Sequence, residues 1–261
     1  MSTCAQSVNY AIIVPFRAKD SSDPRAAQLI EFRAFVERTF GADKLWVVTQ
    51  TPGKKFNRGM LLNVGFLQAF KSNKDLTHVI FHDVDLIPSD ELISYYDRVP
   101  EPGRPLHLGK RFERYSYNPE YLGGVLSIRT SDFLAINGFP NCFWGWGGED
   151  DEFAIRVRTA GMTPTVPTCG SYRDLERLTL KQKVNVLQTT NERCMIKHEL
   201  LDDYRSGMLA DDGVKSLDGS RVLGVSRCGN DFTVDLLATS GHRSDACSDE
   251  SYATWGYASS S

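Results

Sequence analysis

Three short apolar runs, Tyr10–Val14, Leu45–Thr49 and Val79–Phe81, alternate with two stretches of helical spacing, and this alternation limits the fold more than any other feature. The first run ends at Pro15. Asp23-Pro24 then supplies an N-cap with proline at the first helical position. Leu29, Phe32, Val36 and Phe40 follow at helical intervals until Gly41 closes the segment. Met60–Phe70 reads as a second helix, with Leu61, Val64 and Ala69 on or near one apolar stripe. A βαβαβ order of this kind predicts a largely parallel, doubly wound, Rossmann-like α/β sheet. Such sheets bind ligands beyond the carboxyl ends of their strands. The third strand runs straight into His82-Asp83-Val84-Asp85, so two aspartates fall where a ligand is expected.

Further along, 88–121 is rich in Pro, Arg and Tyr and reads as an irregular excursion. Val125–Ile128 is another strand. Glu149–Ala160 is a helix, with Gly161 at its C-cap and Pro164 beyond. Val222–Val225 and Phe232–Leu236 form a hairpin around Cys228-Gly229-Asn230. A chain of 261 residues accommodates this in one domain. The expected limits are a short extension over 1–9, the domain over 10–238 and a loose Ser, Gly and Asp-rich tail over 239–261.

Several classes of function have no anchor here. A net charge of −3 gives no global attraction to nucleic acid. The run Ala11–Val14 is too short for a signal core or a membrane span, and no later segment approaches spanning length; the chain as written reads as soluble, without secretory signal or anchor. Neither a P-loop nor a GxGxxG motif is present, so ATP and NAD are unsupported. The 6 cysteines lack CxxC spacing and read as reduced, partly buried thiols.

Three elements have the chemistry of a site. Asp83-x-Asp85 at a strand end offers hard oxygens to a divalent cation, although solvated loop acids would look the same. The run Phe143-Trp144-Gly145-Trp146-Gly147-Gly148-Glu149-Asp150-Asp151-Glu152 sets flexible glycines beside aromatic faces, which suits a loop that stacks on a sugar. Acids at a helix start complement its dipole, but four in a row repel one another and need outside cations or raised pKa values. A carboxylate raised in this way is a natural general base. Met195 and His198 lie three apart and can reach one centre; by spacing alone Met195 reads as a core filler. Pro15-Phe16-Arg17 and Phe56-Asn57-Arg58 each pair an aromatic face with a guanidinium suited to phosphate or uracil oxygens.

In this order, the blocks Ala11–Arg17, Phe56–Phe66, His82–Pro88, Tyr121–Ile128, Asn137–Phe153 and Met195–His198 resemble the β-1,4-galactosyltransferase family (glycosyltransferase family 7), with a fainter match from Asp211 to Leu237. The resemblance implies a GT-A type fold, a Rossmann-like doubly wound mixed sheet in a single domain, and inverting, Mn²⁺-dependent transfer of galactose from UDP-galactose to a saccharide or glycoconjugate acceptor with a β-1,4 linkage. It implies that Pro15, Phe16, Arg17, Phe56, Arg58, Asp83, Val84 and Asp85 line the nucleotide site. Asp85, Met195 and His198 then hold the metal, which replaces the spacing-based reading of Met195. Asp150 is implied as the base, with Tyr121, Trp146, Gly148, Glu149, Asp150 and Asp151 around the sugars. Tyr121 matches the tyrosine that favours galactose over N-acetylgalactosamine. Family members usually carry an N-terminal Golgi anchor and, in some, a disulfide that this sequence lacks. Xylose, N-acetylglucosamine and glucose stay open as acceptors, and oligomeric state is not readable. The rivals are the same scaffold with UDP-N-acetylgalactosamine or UDP-glucose, a non-catalytic sugar binder and, more remotely, a metal-dependent phosphohydrolase.

Overall fold

The structure is a computed structural model that describes residues 9–115, 118–217, 221–237, 243–244 and 248. Strand β1 (Tyr10–Phe16) leads through helix α1 (Pro24–Thr39) to β2 (Leu45–Gln50), and then through α2 (Arg58–Ser72) to β3 (His78–His82). A short β4 (Leu86–Pro88) and a single turn of helix, α3 (Asp90–Ile93), open the irregular excursion. After it come β5 (Val125–Arg129), α4 (Thr130–Ala135), α5 (Glu149–Thr159), β6 (Tyr172–Asp174), α6 (Leu180–Thr189) and α7 (Lys197–Arg205). The hairpin of β7 (Val222–Cys228) and β8 (Asp231–Leu236) follows.

The six-stranded sheet has the order β5-β3-β1-β2-β8-β7, and β4 pairs with β6 in a separate two-stranded ribbon. β1 is parallel to β2 and β3, as the two helical crossovers between them require, and β8 is parallel to β2. β5 runs antiparallel to β3, and β7 to β8, so the sheet is mixed at both edges. The β7–β8 hairpin edge was expected from the sequence; the pairing of β5 with β3 was not, because ladder partners cannot be read from one strand's own pattern.

Strand residues buried on both faces give continuous apolar runs. Ala11 and Ile13 of β1 join Trp46, Val48, Val79 and Phe81 beneath α2 and α5. Tyr10, Ile12 and Val14 join Leu45, Val47 and Ile80 beneath α1 on the other side. The helix ends were legible: Asp23 accepts from the Arg25 amide, and Asn57 from the Met60 amide. These caps fix where α1 and α2 begin relative to the strand ends, and so place Arg58 at the rim of the sheet.

Asn9 lies just outside β1, and Thr77 donates to its carbonyl. Most of the expected extension and tail fall outside the described residues; within the tail, Arg243 pairs with Asp203, and Ser248 accepts from the Lys55 amide. Cys169 and Cys228 are exposed thiols, and Cys142 and Cys194 are buried. Among the described residues, no helix is long and apolar enough to cross a membrane.

Three histidines are buried within the fold. His82 donates from Nδ1 to the Asp83 carbonyl at 2.8 Å and accepts at Nε2 from the Tyr96 hydroxyl at 2.7 Å. Burial lowers His78, His82 and His107 to about 4 each, because the imidazolium would lose its hydration. A protein NMR titration is therefore expected to leave these three rings neutral until pH falls to about 4. Any of them titrating near the ordinary histidine value of 6.5 would contradict the packing around it.

Candidate active site

A cleft of about 340 Å³ opens at the carboxyl ends of β1 and β3. All of the nucleotide-side residues expected from the sequence line it: Pro15, Phe16, Arg17, Phe56, Arg58, Asp83, Val84 and Asp85. So do Tyr121, Trp146, Gly148, Glu149, Asp150 and Asp151. Residues more than a hundred positions apart thus converge because β1 and β3 are neighbours and α5 begins above the same strand ends.

Arg58, at the first position of α2, is the centre of the site. Its guanidinium lies 2.8 Å from Asp83 and 2.9 Å from Asp150, with Glu149 at 3.9 Å. One fixed positive charge therefore serves three acids. Burial is the main influence that pushes the Asp150 carboxyl well up; Glu149, Asp83 and Asp151 add to it and Arg58 opposes it. Glu149 is raised for the same leading reason, and one of its oxygens is buried without a partner. Asp85, at the end of β3, is pushed up to about 7 by burial and then by Asp83 and Glu176. The helix dipole of α5 and Arg58 together thus relieve only part of the acid crowding.

Gly123 explains how Asp150 is accommodated. A Cβ at position 123 would sit 2.0 Å from Asp150 Oδ2 and 2.8 Å from the Tyr121 ring, so glycine is needed for both side chains to meet there. Gly123→Ala is expected to lower turnover at least tenfold by displacing the carboxylate from Arg58. Steady-state kinetics would check this, and unchanged kcat would show that Asp150 works from another position.

The tryptophan segment is held rather than loose. Gly145 donates to the Phe56 carbonyl, Trp146 to the Glu192 carbonyl, and the Cys194 amide to Trp146. Gly145 and Gly148 have φ of 90° and 107°; a side chain would meet Arg193 backbone at the first and the Phe143 ring at the second. Trp144 is buried, whereas Trp146 is 36% exposed and lines the cleft. Asp151 pairs with Lys197 at 2.6 Å, and Lys197 also lines the cleft. Arg17 does not point free into the space: it forms a two-pronged contact with Glu192 at 2.7 Å and donates to the Lys54 carbonyl.

Of the expected metal ligands, Asp85 lines the cleft, whereas Met195 and His198 are exposed and are not among its lining residues. Met195 just precedes α7 and His198 lies in its first turn, shortly after Arg193, which bridges to Trp146. Among the described residues, no group of three or more His, Cys, Asp and Glu side chains is close enough to hold a metal ion. Asp85 brings to the cleft hard oxygens suited to a divalent ion.

What stands beside Asp85 was missed from the sequence. Arg114 contacts Glu176 at 2.7 Å and also pairs with Asp174, while Lys183 of α6 pairs with the same Glu176. One signal was available: Thr179 and Gln182 form a capping box that marks the start of α6. The tertiary placement of that helix over the cleft had no local signature.

Comparison with known proteins agrees with this geometry. Residues 1–97 match the model described as the N-terminal region of glycosyl transferase group 7, and residues 104–198 match the one described as the N-terminal domain of galactosyltransferase. Human beta-1,4-galactosyltransferase 3 is 37% identical over 175 residues, which are 65% of this chain and 43% of that protein. Pig beta-1,4-galactosyltransferase 5 is 36% identical over 67% of this chain and 44% of its own length. The chain thus spans less than half the length of these curated relatives. The catalytic domain of Drosophila beta-1,4-galactosyltransferase 7, solved with xylobiose, superposes with a TM-score of 0.60 and 26% identity over 89% of this chain and 95% of that one. A mutant of it, solved with manganese, UDP-Gal and xylobiose, gives the same TM-score at 25% identity. A GT-A type architecture, two matching family models and a cleft assembled from the family's own blocks have one explanation: the chain belongs to the β-1,4-galactosyltransferase family, glycosyltransferase family 7.

Proposed function

We propose that this chain transfers galactose from UDP-galactose to a saccharide acceptor, with inversion, to form a β-1,4 linkage. The observation that supports this most is Arg58, which joins Asp83 at the nucleotide end of the cleft to Asp150 at its sugar end. The base and ribose are bound against Pro15, Phe16, Phe56 and Val84, which supply the apolar part of the cleft wall. Asp150 takes the proton of the acceptor hydroxyl as that oxygen attacks the anomeric carbon on the face away from UDP. The bond from the anomeric carbon to the phosphate oxygen breaks, and its electron pair leaves with UDP. An α-linked donor then gives a β-linked product. Glu149 and Asp151 hold sugar hydroxyls, and Trp146 covers the donor against water.

The relative solved with manganese and UDP-Gal supports Mn²⁺ as the ion that neutralises phosphate charge; in this chain Asp85 is the residue suited to hold it. The other steps stand on protein groups alone. A rival reading keeps the scaffold and changes the donor. Tyr121 packs edge-on to His107, with ring centroids 5.5 Å apart, and lines the cleft. Tyr121→Leu is expected to add UDP-N-acetylgalactosamine to the donors accepted. A donor panel read by UDP release tests this, and no gain with that donor would remove Tyr121 from donor selection.

A further inference from the structure

The strand end where a diphosphate belongs is flanked by two protein cations, and these were absent from the site as read in the sequence. We propose that Lys183 and Arg114 form a diphosphate-binding pair, which exchanges its carboxylate partner for phosphate oxygens when a nucleoside diphosphate enters. This inference rests on the donor reading above and goes beyond it by naming residues outside the matched motifs.

The placement of Lys183 is the first argument. Leu180, Lys183, Val184 and Leu187 all line the cleft, so α6 turns one face inward, and Lys183 is the charged group on that face. Its side chain is 13% exposed. Lys181, two residues away, is exposed and remote from the lining. Arg114 approaches from the other wall, its side chain 5% exposed, and also lines the cleft. The Leu175 amide donates to the Asp85 carbonyl at 2.8 Å, which sets Glu176 and the two cations it meets beside the turn that follows β3.

The second argument is the shared partner. Glu176 serves both Lys183 and Arg114. Asp174 also meets Arg114, yet Glu176 is the one carboxylate that spans both cations; it offers them two oxygens, whereas a diphosphate brings more charge and more oxygens. A guanidinium matches such a group with two parallel donors, and an ammonium meets it as a point charge. A buried ion pair of this sort contributes little to stability compared with apolar side chains of similar size. Leucine at 183 would complete the apolar face of α6 equally well. Exchange of partners gives the buried lysine a use that packing does not.

The test is calorimetric titration of the full chain in manganese buffer with UDP and with uridine. Lys183→Ala is expected to weaken UDP about ten- to hundredfold, as loss of a charge-assisted contact implies, and to leave uridine unchanged. Lys183→Arg should retain most of the UDP affinity. Glu176→Gln removes the competing carboxylate and should tighten UDP several-fold, which a merely structural ion pair would not do. Lys183→Ala binding UDP within twofold of wild type, or Glu176→Gln weakening it, overturns the pair. Wild-type protein that binds neither UDP nor uridine overturns the donor reading itself and the pair with it.

Discussion

Asp150→Asn is expected to lower turnover by about two orders of magnitude or more while UDP-galactose binds nearly as before. Asparagine keeps an oxygen for the Arg58 guanidinium, which lies 2.9 Å from Asp150, so the cleft retains its shape and loses only the proton acceptor. The pH profile supplies a second readout. Burial first, and then Glu149, Asp83 and Asp151, raise the Asp150 carboxyl above its ordinary value of 3.8, against the pull of Arg58. A raised acid keeps its proton to higher pH, so the base form is lost sooner on acidification. The acidic limb of kcat/KM should therefore lie above the usual aspartate range, and it should disappear from the residual activity of the asparagine variant. Near-normal turnover in Asp150→Asn would take this residue out of the reaction.

Arg58→Met should cost more in stability than any other single change in the site. The side chain is 13% exposed, and methionine leaves Asp83, Asp150 and Glu149 without their shared counter-ion. Breaking a buried pair in this way costs about 3–5 kcal/mol. The lower end is expected here, because Asp83 and Asp150 keep 30% and 21% side-chain exposure and part of their hydration. Denaturant unfolding of wild type and variant measures the difference. A loss below about 1 kcal/mol, the range of exposed pairs, would mean that solvent already screens the cluster. Activity should fall with stability, since the remaining acids then hold their protons to still higher pH.

The sequence made the parallel centre of the fold legible because local chemistry writes it. Asp23-Pro24, Asn57 and the apolar runs each specify a start, a stop or a face without help from distant residues. The antiparallel placement of β5 and the two-stranded pairing of β4 with β6 depend on partners far along the chain, and no period encodes them. The cleft follows the same division. Arg58, Asp83 and Asp150 were found through motifs at element ends, which the strand order then brings together. Lys183, Arg114 and Glu176 come from a helix, the irregular excursion and the end of a short strand, and meet only through tertiary packing. Met195 and His198 come from a spacing that permits one centre, and they lie exposed around the start of α7, outside the lining of the cleft.

The account is tested most directly by mixing the protein with UDP-galactose, manganese and a panel of xylosides, N-acetylglucosaminides and glucosides, then following UDP and the new linkage together by NMR. UDP should appear in step with a β-1,4-linked galactoside on at least one acceptor, and Asp150→Asn should suppress both signals. UDP release without a glycoside, or a product with the α configuration, would contradict an inverting transfer in this cleft.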